Sequence, residues 1–103
     1  MDTKVKRIPP IHPGELLSEI MDEMNISAYA LAKAIGKAPI QVSRIVRGQA
    51  AITASMARLI GAALGTSSQM WLNMQARYEL EVAELETPNI SVTQIVADGV
   101  KVA

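Results

Sequence analysis

Hydrophobic side chains recur every three or four residues through five successive stretches, which short polar or glycine-containing breaks separate. This spacing puts apolar groups on one side of a helix, so the pattern predicts five amphipathic helices. The first opens at Pro13 and Glu15, which suit a first turn, and stops at Asn25, a residue that tolerates a left-handed conformation. Its predicted core face comprises Leu16, Leu17, Ile20, Met21 and Met24.

The second and third stretches form one unit, from Ser27 to Gly48. Ser27 can cap its first helix, Gly36 can end that helix, and Pro39 suits the start of the next one. The predicted buried residues are Leu31, Ala32 and Ile35 on the first helix and Val42, Ile45 and Val46 on the second. Two short helices joined by a glycine-containing turn, with a basic second helix, indicate a helix-turn-helix.

Two further helices are predicted. Thr53 suits the cap of the fourth, Gly65 its end, and Thr66 with Gln69 has the form of a capping box for the fifth. The predicted apolar face of the fourth helix comprises Met56, Leu59, Ile60, Ala63 and Leu64. The fifth helix carries aromatic residues and methionines, which either finish the core or form a dimer surface; we expect both. The dimer candidates are Trp71, Met74, Gln75 and Tyr78.

The two ends of the chain differ from its helical part. Residues 1–11 are predicted to be a flexible arm, residues 12–85 the helix-turn-helix domain, and residues 86–103 a tail. The basic residues of the arm either touch phosphate or have no role. They are Lys4, Lys6 and Arg7.

The tail is rich in β-branched residues, and Asp98-Gly99 is typical of a hairpin turn. A short β-ribbon with Val100 and Val102 on one face is one interpretation. An unstructured tail is the other, because an isolated hairpin is only marginally stable in water.

Composition narrows the class of protein. The chain has 103 residues, half of them hydrophobic, which is enough for one compact core. No apolar run approaches the ~20 residues of a membrane span, and no apolar segment follows the charged N-terminus as in a signal peptide. Cysteine is absent, which excludes disulfides and thiolate metal sites. These features predict a cytoplasmic protein.

Charge is zero overall but unevenly distributed. No acidic residue occurs between Met24 and Tyr78, while that region contains Lys33, Lys37, Arg44, Arg47, Arg58 and Arg77. Because the local field decides attraction to phosphates, this basic middle predicts nucleic-acid binding; chance placement of surface charges is the alternative.

Catalysis is not predicted. The chain has one histidine, no cysteine, no glycine-rich phosphate loop and no carboxylates at spacings beyond those of solvated helix faces. His12 stands alone at a helix start, where a structural role is the usual one. We therefore expect no cofactor and no metal site.

The third helix is the predicted DNA contact. If its apolar residues face inward, Ile40, Gln41 and Arg44 face outward. Gln41 could pair bidentately with adenine, Arg44 could pair with guanine O6 and N7, and Ile40 suits a thymine methyl group. The remaining candidates lie where phosphate contacts are common, with Ser43 able to meet phosphate or base. The predicted DNA-binding set is Lys37, Pro39, Ile40, Gln41, Ser43, Arg44, Arg47 and Thr53.

Several segments closely resemble the HigA (VapI) family of antitoxins, within the larger Xre/Cro-repressor-like helix-turn-helix group. They are HPGELLSEIM, ISAYALAKAIG, QVSRIVRGQAAIT and ALGTSSQMWLNMQARYEL. The match runs from about His12 to Leu80. A helix-turn-helix alone would indicate only a DNA-binding repressor, whereas HPGE combined with WLNMQ is much more specific and picks out the antitoxin branch.

The resemblance implies an all-α, five-helix, lambda-repressor-like domain that dimerises on a palindromic operator and represses its own toxin–antitoxin operon. It also implies neutralisation of a HigB-like toxin, a RelE-type ribonuclease that cuts mRNA, by direct contact. A stand-alone Xre-type repressor without a toxin is the main alternative. A domain that keeps the fold without binding DNA is another, motivated by neutral charge and by Ala38, which stands where such helices often carry a Ser or Thr cap.

Overall fold

The computed structural model describes residues 8–97 and 100–101, and within them five helices account for most of the chain. The helices are α1 (Pro13–Met24), α2 (Ala28–Ile35), α3 (Pro39–Val46), α4 (Ala54–Leu64) and α5 (Ser68–Glu86). Helices α2 and α3 form the predicted helix-turn-helix, with α1, α4 and α5 packed around them. The all-α prediction is confirmed.

Helix ends follow the sequence signals with one exception. The hydroxyl groups of Ser27 and Thr53 accept hydrogen bonds from the amides of residues 30 and 56, and Asn25 adopts a left-handed conformation with φ of 57°. The predicted capping box at the start of α5 is wrong. Ser67 caps that helix by accepting from the Met70 amide, because the Thr66 hydroxyl is turned inward to another partner.

The core lies where α1, α2, α3, α4 and α5 meet. Its fully or nearly buried hydrophobic residues are Leu17, Met21, Leu31, Ala32, Ile35, Val42, Ile45, Ile52, Met56, Ala57, Ile60 and Trp71. The predicted faces of α2 and α3 are confirmed, with Val46 only partly buried. Met24 is 50% exposed, so its assignment to the core face of α1 is wrong.

Helix α4 is rotated relative to the prediction. It buries Ala57 and Gly61, while Ala63 is exposed. The reason is the turn into α5, which passes so close that a Cβ atom at Gly61 would lie 2.7 Å from the Thr66 carbonyl oxygen. Gly61 therefore marks the face against which the turn into α5 packs, which hydrophobicity alone does not reveal.

The tail forms the ribbon that one interpretation predicted. Strands β1 (Val96–Ala97) and β2 (Val100–Lys101) pair antiparallel, with Val96 opposite Lys101 and Ala97 opposite Val100. The Asp98-Gly99 turn, Val102 and the basic residues of the arm lie outside the described residues. The three-part division of the chain stays a prediction.

Candidate nucleic-acid interface

Helix α3 separates its residues as predicted into a buried side and an outward side. Val42 and Ile45 are buried, whereas Ile40, Gln41 and Arg44 are exposed. Pro39 and Arg47 are also exposed, at the two ends of the helix, and Ser43 is half-buried. The result is an outward surface made of an amide, a guanidinium and an aliphatic side chain, the groups that contact base edges in the major groove.

The HPGE segment at the start of α1 holds the C-terminal end of α3. A Cβ atom at Gly14 would lie only 1.9 Å from the Ile45 carbonyl oxygen, so only glycine permits this approach of the two backbones. His12 Nδ1 accepts a hydrogen bond from the Gly14 amide at 2.9 Å. The imidazole faces Gly48 beyond the end of α3, and its ring centroid lies 4.9 Å from that of Tyr78 in an edge-to-face arrangement. The structural role of His12 is confirmed.

Two of the predicted dimer residues are part of the protomer's interior. Trp71 is fully buried, and its Nε1 donates to Thr66 Oγ1 at 2.7 Å. Gln75 is 6% exposed, accepts from the Ile52 amide at 2.9 Å through Oε1 and donates to Glu79 through Nε2. The prediction that these two side chains offer surface to a partner is therefore corrected.

Gln75 has a role that the sequence reasoning missed. Its hydrogen bond to Ile52 spans 23 residues and fixes the connection between α3 and α4 to α5. A glutamine one turn after a buried tryptophan on the same helix face is the signal that could have indicated burial. The other two dimer candidates, Met74 and Tyr78, are half-buried and retain surface on α5.

The first turn of α3 contains a second unpredicted hydrogen bond. Ala38 provides no side-chain cap, as the sequence indicated. Instead, Gln41 Oε1 accepts from the Ala38 amide at 3.1 Å. A glutamine three residues after the cap position is the second half of a capping box, and this is the signal that identifies it.

Four of the predicted contacts, together with Ser55, which was not predicted, line one hollow of about 210 Å³. Lys37 lies before α3, Gln41 and Arg44 lie on it, and Thr53 and Ser55 lie at the start of α4. The hollow thus combines two cations with the N-terminus of a helix, where backbone amides favour negative charge.

The basic residues of the middle of the chain are exposed. Lys33, Lys37, Arg44, Arg47 and Arg58 are all exposed. Arg77 differs, because its Nε is 3.2 Å from Glu81 on the next turn of α5. Exposed cations therefore accompany α3, and two of them, Lys37 and Arg44, line one hollow, which favours phosphate as their counterpart.

Two further findings concern metal sites and membrane spans in the part of the chain that the structure describes. The described residues contain no group of three or more His, Cys, Asp or Glu side chains placed to hold a metal ion. None of their helices is both long enough and apolar enough to cross a membrane.

A helix-turn-helix whose second helix exposes base-compatible side chains beside exposed cations defines the class of major-groove DNA-binding proteins. The helix-turn-helix family model matches residues 17–71. Virulence-associated protein I of Dichelobacter nodosus is 43% identical over 86 residues, which cover 82% of this chain and 80% of that protein. Antitoxin HigA-1 of Vibrio cholerae is 38% identical over 78 residues, which cover 75% of this chain and 72% of that protein.

A solved structure shows the same fold. Antitoxin HigA of Pseudomonas aeruginosa, determined with the higBA promoter, superposes with a TM-score of 0.74 at 42% identity. The superposition covers 77% of this chain and 87% of that one. The chain belongs to the Xre-type helix-turn-helix family, within its HigA antitoxin group.

Proposed function

We propose that this protein is an antitoxin that binds operator DNA as a dimer, represses its own operon and neutralises a RelE-like mRNA-cleaving toxin. The observation that carries the proposal is the outward face of α3, where the exposed Gln41 and Arg44 line one hollow with Lys37. The HigA relative whose structure includes its promoter supports DNA as the target. A repressor acts where the DNA is, so the proposed location is the cytoplasm.

The proposed DNA contacts divide into two groups. Arg44 contacts guanine, Ile40 a thymine methyl group, and Gln41 a base edge between them. Lys37, Arg47 and Thr53 lie around these positions and contact the phosphate backbone, Ser43 contacts phosphate or a base, and Pro39 lies beside them at the start of α3. The hollow between α3 and α4 supports this division, because it places Lys37 and Thr53 beside the base-facing side chains.

Dimerisation is proposed through α5. A two-fold dimer would place two copies of α3 about one DNA turn (~34 Å) apart on a palindromic site. With Trp71 and Gln75 buried, the proposed contacts are Met74 and Tyr78. Met74 also lines a groove of about 280 Å³ with Ile8, Pro9 and Ile11, so the surface available on α5 continues onto the segment before α1.

Toxin neutralisation is proposed to occur by protein contact alone. The candidate segments are the N-terminal arm and the tail after α5. The tail includes three exposed hydrophobic side chains in its described part, namely Ile90, Val92 and Ile95, each at least 75% exposed. Exposed apolar residues of this kind are suited to burial against a partner.

Binding of the chain's own promoter by fluorescence anisotropy tests the DNA contacts. Arg44→Ala should weaken operator binding by about 1–3 kcal/mol and relax the preference at one base pair. Lys37→Ala should weaken binding to every sequence alike and reduce the dependence on salt. Unchanged affinity and base preference for Arg44→Ala would remove α3 from the interface. Wild-type binding no tighter than to random DNA would favour the domain that keeps the fold without binding DNA.

Co-expression with the neighbouring reading frame tests the antitoxin role. A small RelE-like protein that co-purifies with this chain, and whose mRNA cleavage this chain suppresses, is the expected result. Operator binding without such a partner would favour the alternative, a stand-alone Xre-type repressor.

A further inference from the structure

The start of α3 uses Gln41 as a cap, which constrains how this side chain can meet DNA. Ala38 supplies no side-chain acceptor for the first turn. Gln41 Oε1 instead accepts the Ala38 N–H at 3.1 Å. One of the two functional groups of the amide is therefore engaged by the protein's own backbone before any ligand arrives.

The other functional group is available. A glutamine amide is planar, so fixing Oε1 also restricts the direction of Nε2, which carries two hydrogen-bond donors. The Ala38 contact is the only hydrogen bond of the Gln41 side chain among the described residues. The side chain is exposed, borders the hollow between α3 and α4, and precedes Arg44 by three residues, which puts the two on one face of α3.

We propose that Gln41 contacts the operator as a hydrogen-bond donor, through Nε2 to N7 of a purine or O6 of a guanine, and that it does not pair bidentately with adenine. This inference rests on the proposed function, in which α3 enters the major groove. It specifies the base chemistry that Gln41 selects there.

The competing adenine contact requires both ends of the amide. Adenine N6–H donates to Oε1 while Nε2 donates to adenine N7, so Oε1 must turn toward the base. Oε1 must then either leave the Ala38 amide, at a helix start with no other side-chain cap, or divide its two lone pairs between that amide and the base. A donor contact leaves the cap in place, and α3 binds DNA in the conformation that it already has.

Base analogues in the operator can distinguish the two modes. The operator is first defined by footprinting the wild-type protein upstream of its own gene. Single purines are then replaced by 7-deazapurines, which lack N7, by 2-aminopurine, which lacks the guanine O6, and by unsubstituted purine, which lacks the adenine 6-amino group. Wild type and Gln41→Leu are titrated with each duplex.

We expect one operator position at which removal of N7 or O6 weakens wild-type binding about fivefold, which is the effect of one neutral hydrogen bond. The same replacement should leave the affinity of Gln41→Leu unchanged. Removal of a 6-amino group should have the same effect on both proteins. A 6-amino effect present in wild type and absent from Gln41→Leu would establish the bidentate adenine contact and overturn the proposal. An absence of any base effect that depends on Gln41 would also overturn it.

Amide hydrogen exchange provides a second, independent readout. The Ala38 amide should be protected in the free protein, lose protection in Gln41→Leu, and stay protected when wild type binds the operator. Gln41→Glu is the matched control, since its carboxylate can still accept from Ala38 but cannot donate to a base. It should retain the Ala38 protection and lose the N7- or O6-dependent affinity. Loss of protection in the wild-type complex would contradict a cap that survives binding.

Arg44→Ala separates failure of this inference from failure of the proposed function. If Arg44→Ala weakens operator binding but no base effect depends on Gln41, the interface stands and only the role of Gln41 is wrong. If wild type does not distinguish its operator from random DNA, both fail together.

Discussion

Two glutamines in this protein make the same kind of hydrogen bond in opposite surroundings. Gln41 on α3 accepts from the Ala38 amide at an exposed helix start, and Gln75 on α5 accepts from the Ile52 amide in the interior. Loss of the first bond leaves an exposed amide that water can solvate, whereas loss of the second leaves a buried amide that water cannot reach. The bond on α3 is thus suited to a surface that binds a ligand, and the bond on α5 to a fixed support behind it.

The comparison extends to the whole of both helices. Helix α3 presents its polar side chains outward and is held from behind through Gly14, His12 and the loop that Gln75 anchors. Helix α5 directs Trp71 and Gln75 inward, so these two side chains are not available to a binding partner. Helix α3 can therefore keep its polar side chains for a ligand because polar groups of α5 make the internal contacts that hold the loop after α3.

Trp71→Ala should produce the largest effect, a loss of about 3–5 kcal/mol in the free energy of unfolding, because it opens a cavity in the core and leaves Thr66 without its donor. Urea denaturation monitored by circular dichroism measures the loss. Met74→Ala, one turn later and half-buried, is the control and should lose less. A Trp71→Ala protein as stable as wild type would mean that this side chain belongs to a surface after all.

Gln75→Leu should cost about 1–3 kcal/mol, since it leaves the buried Ile52 amide without an acceptor. Gln69→Leu is the matched control, because Gln69 lies on the same helix, is exposed and bonds only to Asn73. Its expected effect is within about 0.5 kcal/mol. Equal losses of unfolding free energy for the two variants would show that the buried amide of Gln75 contributes no more to stability than the exposed amide of Gln69.

Gln41→Leu should lower the free energy of unfolding by only about 0.5 kcal/mol, because water can solvate the Ala38 amide once its acceptor is gone. Comparison with Gln75→Leu under the same urea denaturation therefore tests the contrast directly. A loss as large as that of Gln75→Leu would show that the exposed cap is as important to folding as the buried one.

Ile40→Ala should have the smallest effect on folding, within about 0.5 kcal/mol, since the side chain is 56% exposed. Its effect should be confined to DNA, as a loss of preference for thymine over uracil at one operator position. A marked fall in stability would place Ile40 in the packing of α3 instead.

Sequence patterns predicted short helices better than long ones. On α3, eight residues with a regular alternation of buried and exposed positions left one possible orientation, and the structure has it. The nineteen residues of α5 mix apolar and polar groups on every side, so periodicity could not identify which polar side chains are buried. Gln75 is buried because of a backbone amide 23 residues away, and no local pattern encodes that partner.

The candidate site was predictable to a similar extent. The exposed residues of α3 follow from helical spacing, and the basic residues that accompany them follow from the absence of acids between Met24 and Tyr78. The role of HPGE did not follow, because it depends on how closely two backbones pass. The rotation of α4 toward Ala57 and Gly61 escaped prediction for the same reason.

The lack of a Cβ atom at Gly14 also affects the distance between the two recognition helices of the proposed dimer. It determines how close the axis of α3 lies to α1, and so how far α3 projects from the body of the protomer. In the proposed dimer any outward displacement of α3 occurs twice, once in each protomer, and the two displacements alter the distance between the recognition helices. That distance must match the helical repeat of DNA, about 34 Å. The hydrogen atom that Gly14 has in place of a Cβ atom thus helps to set which spacing of operator half-sites the dimer can bind.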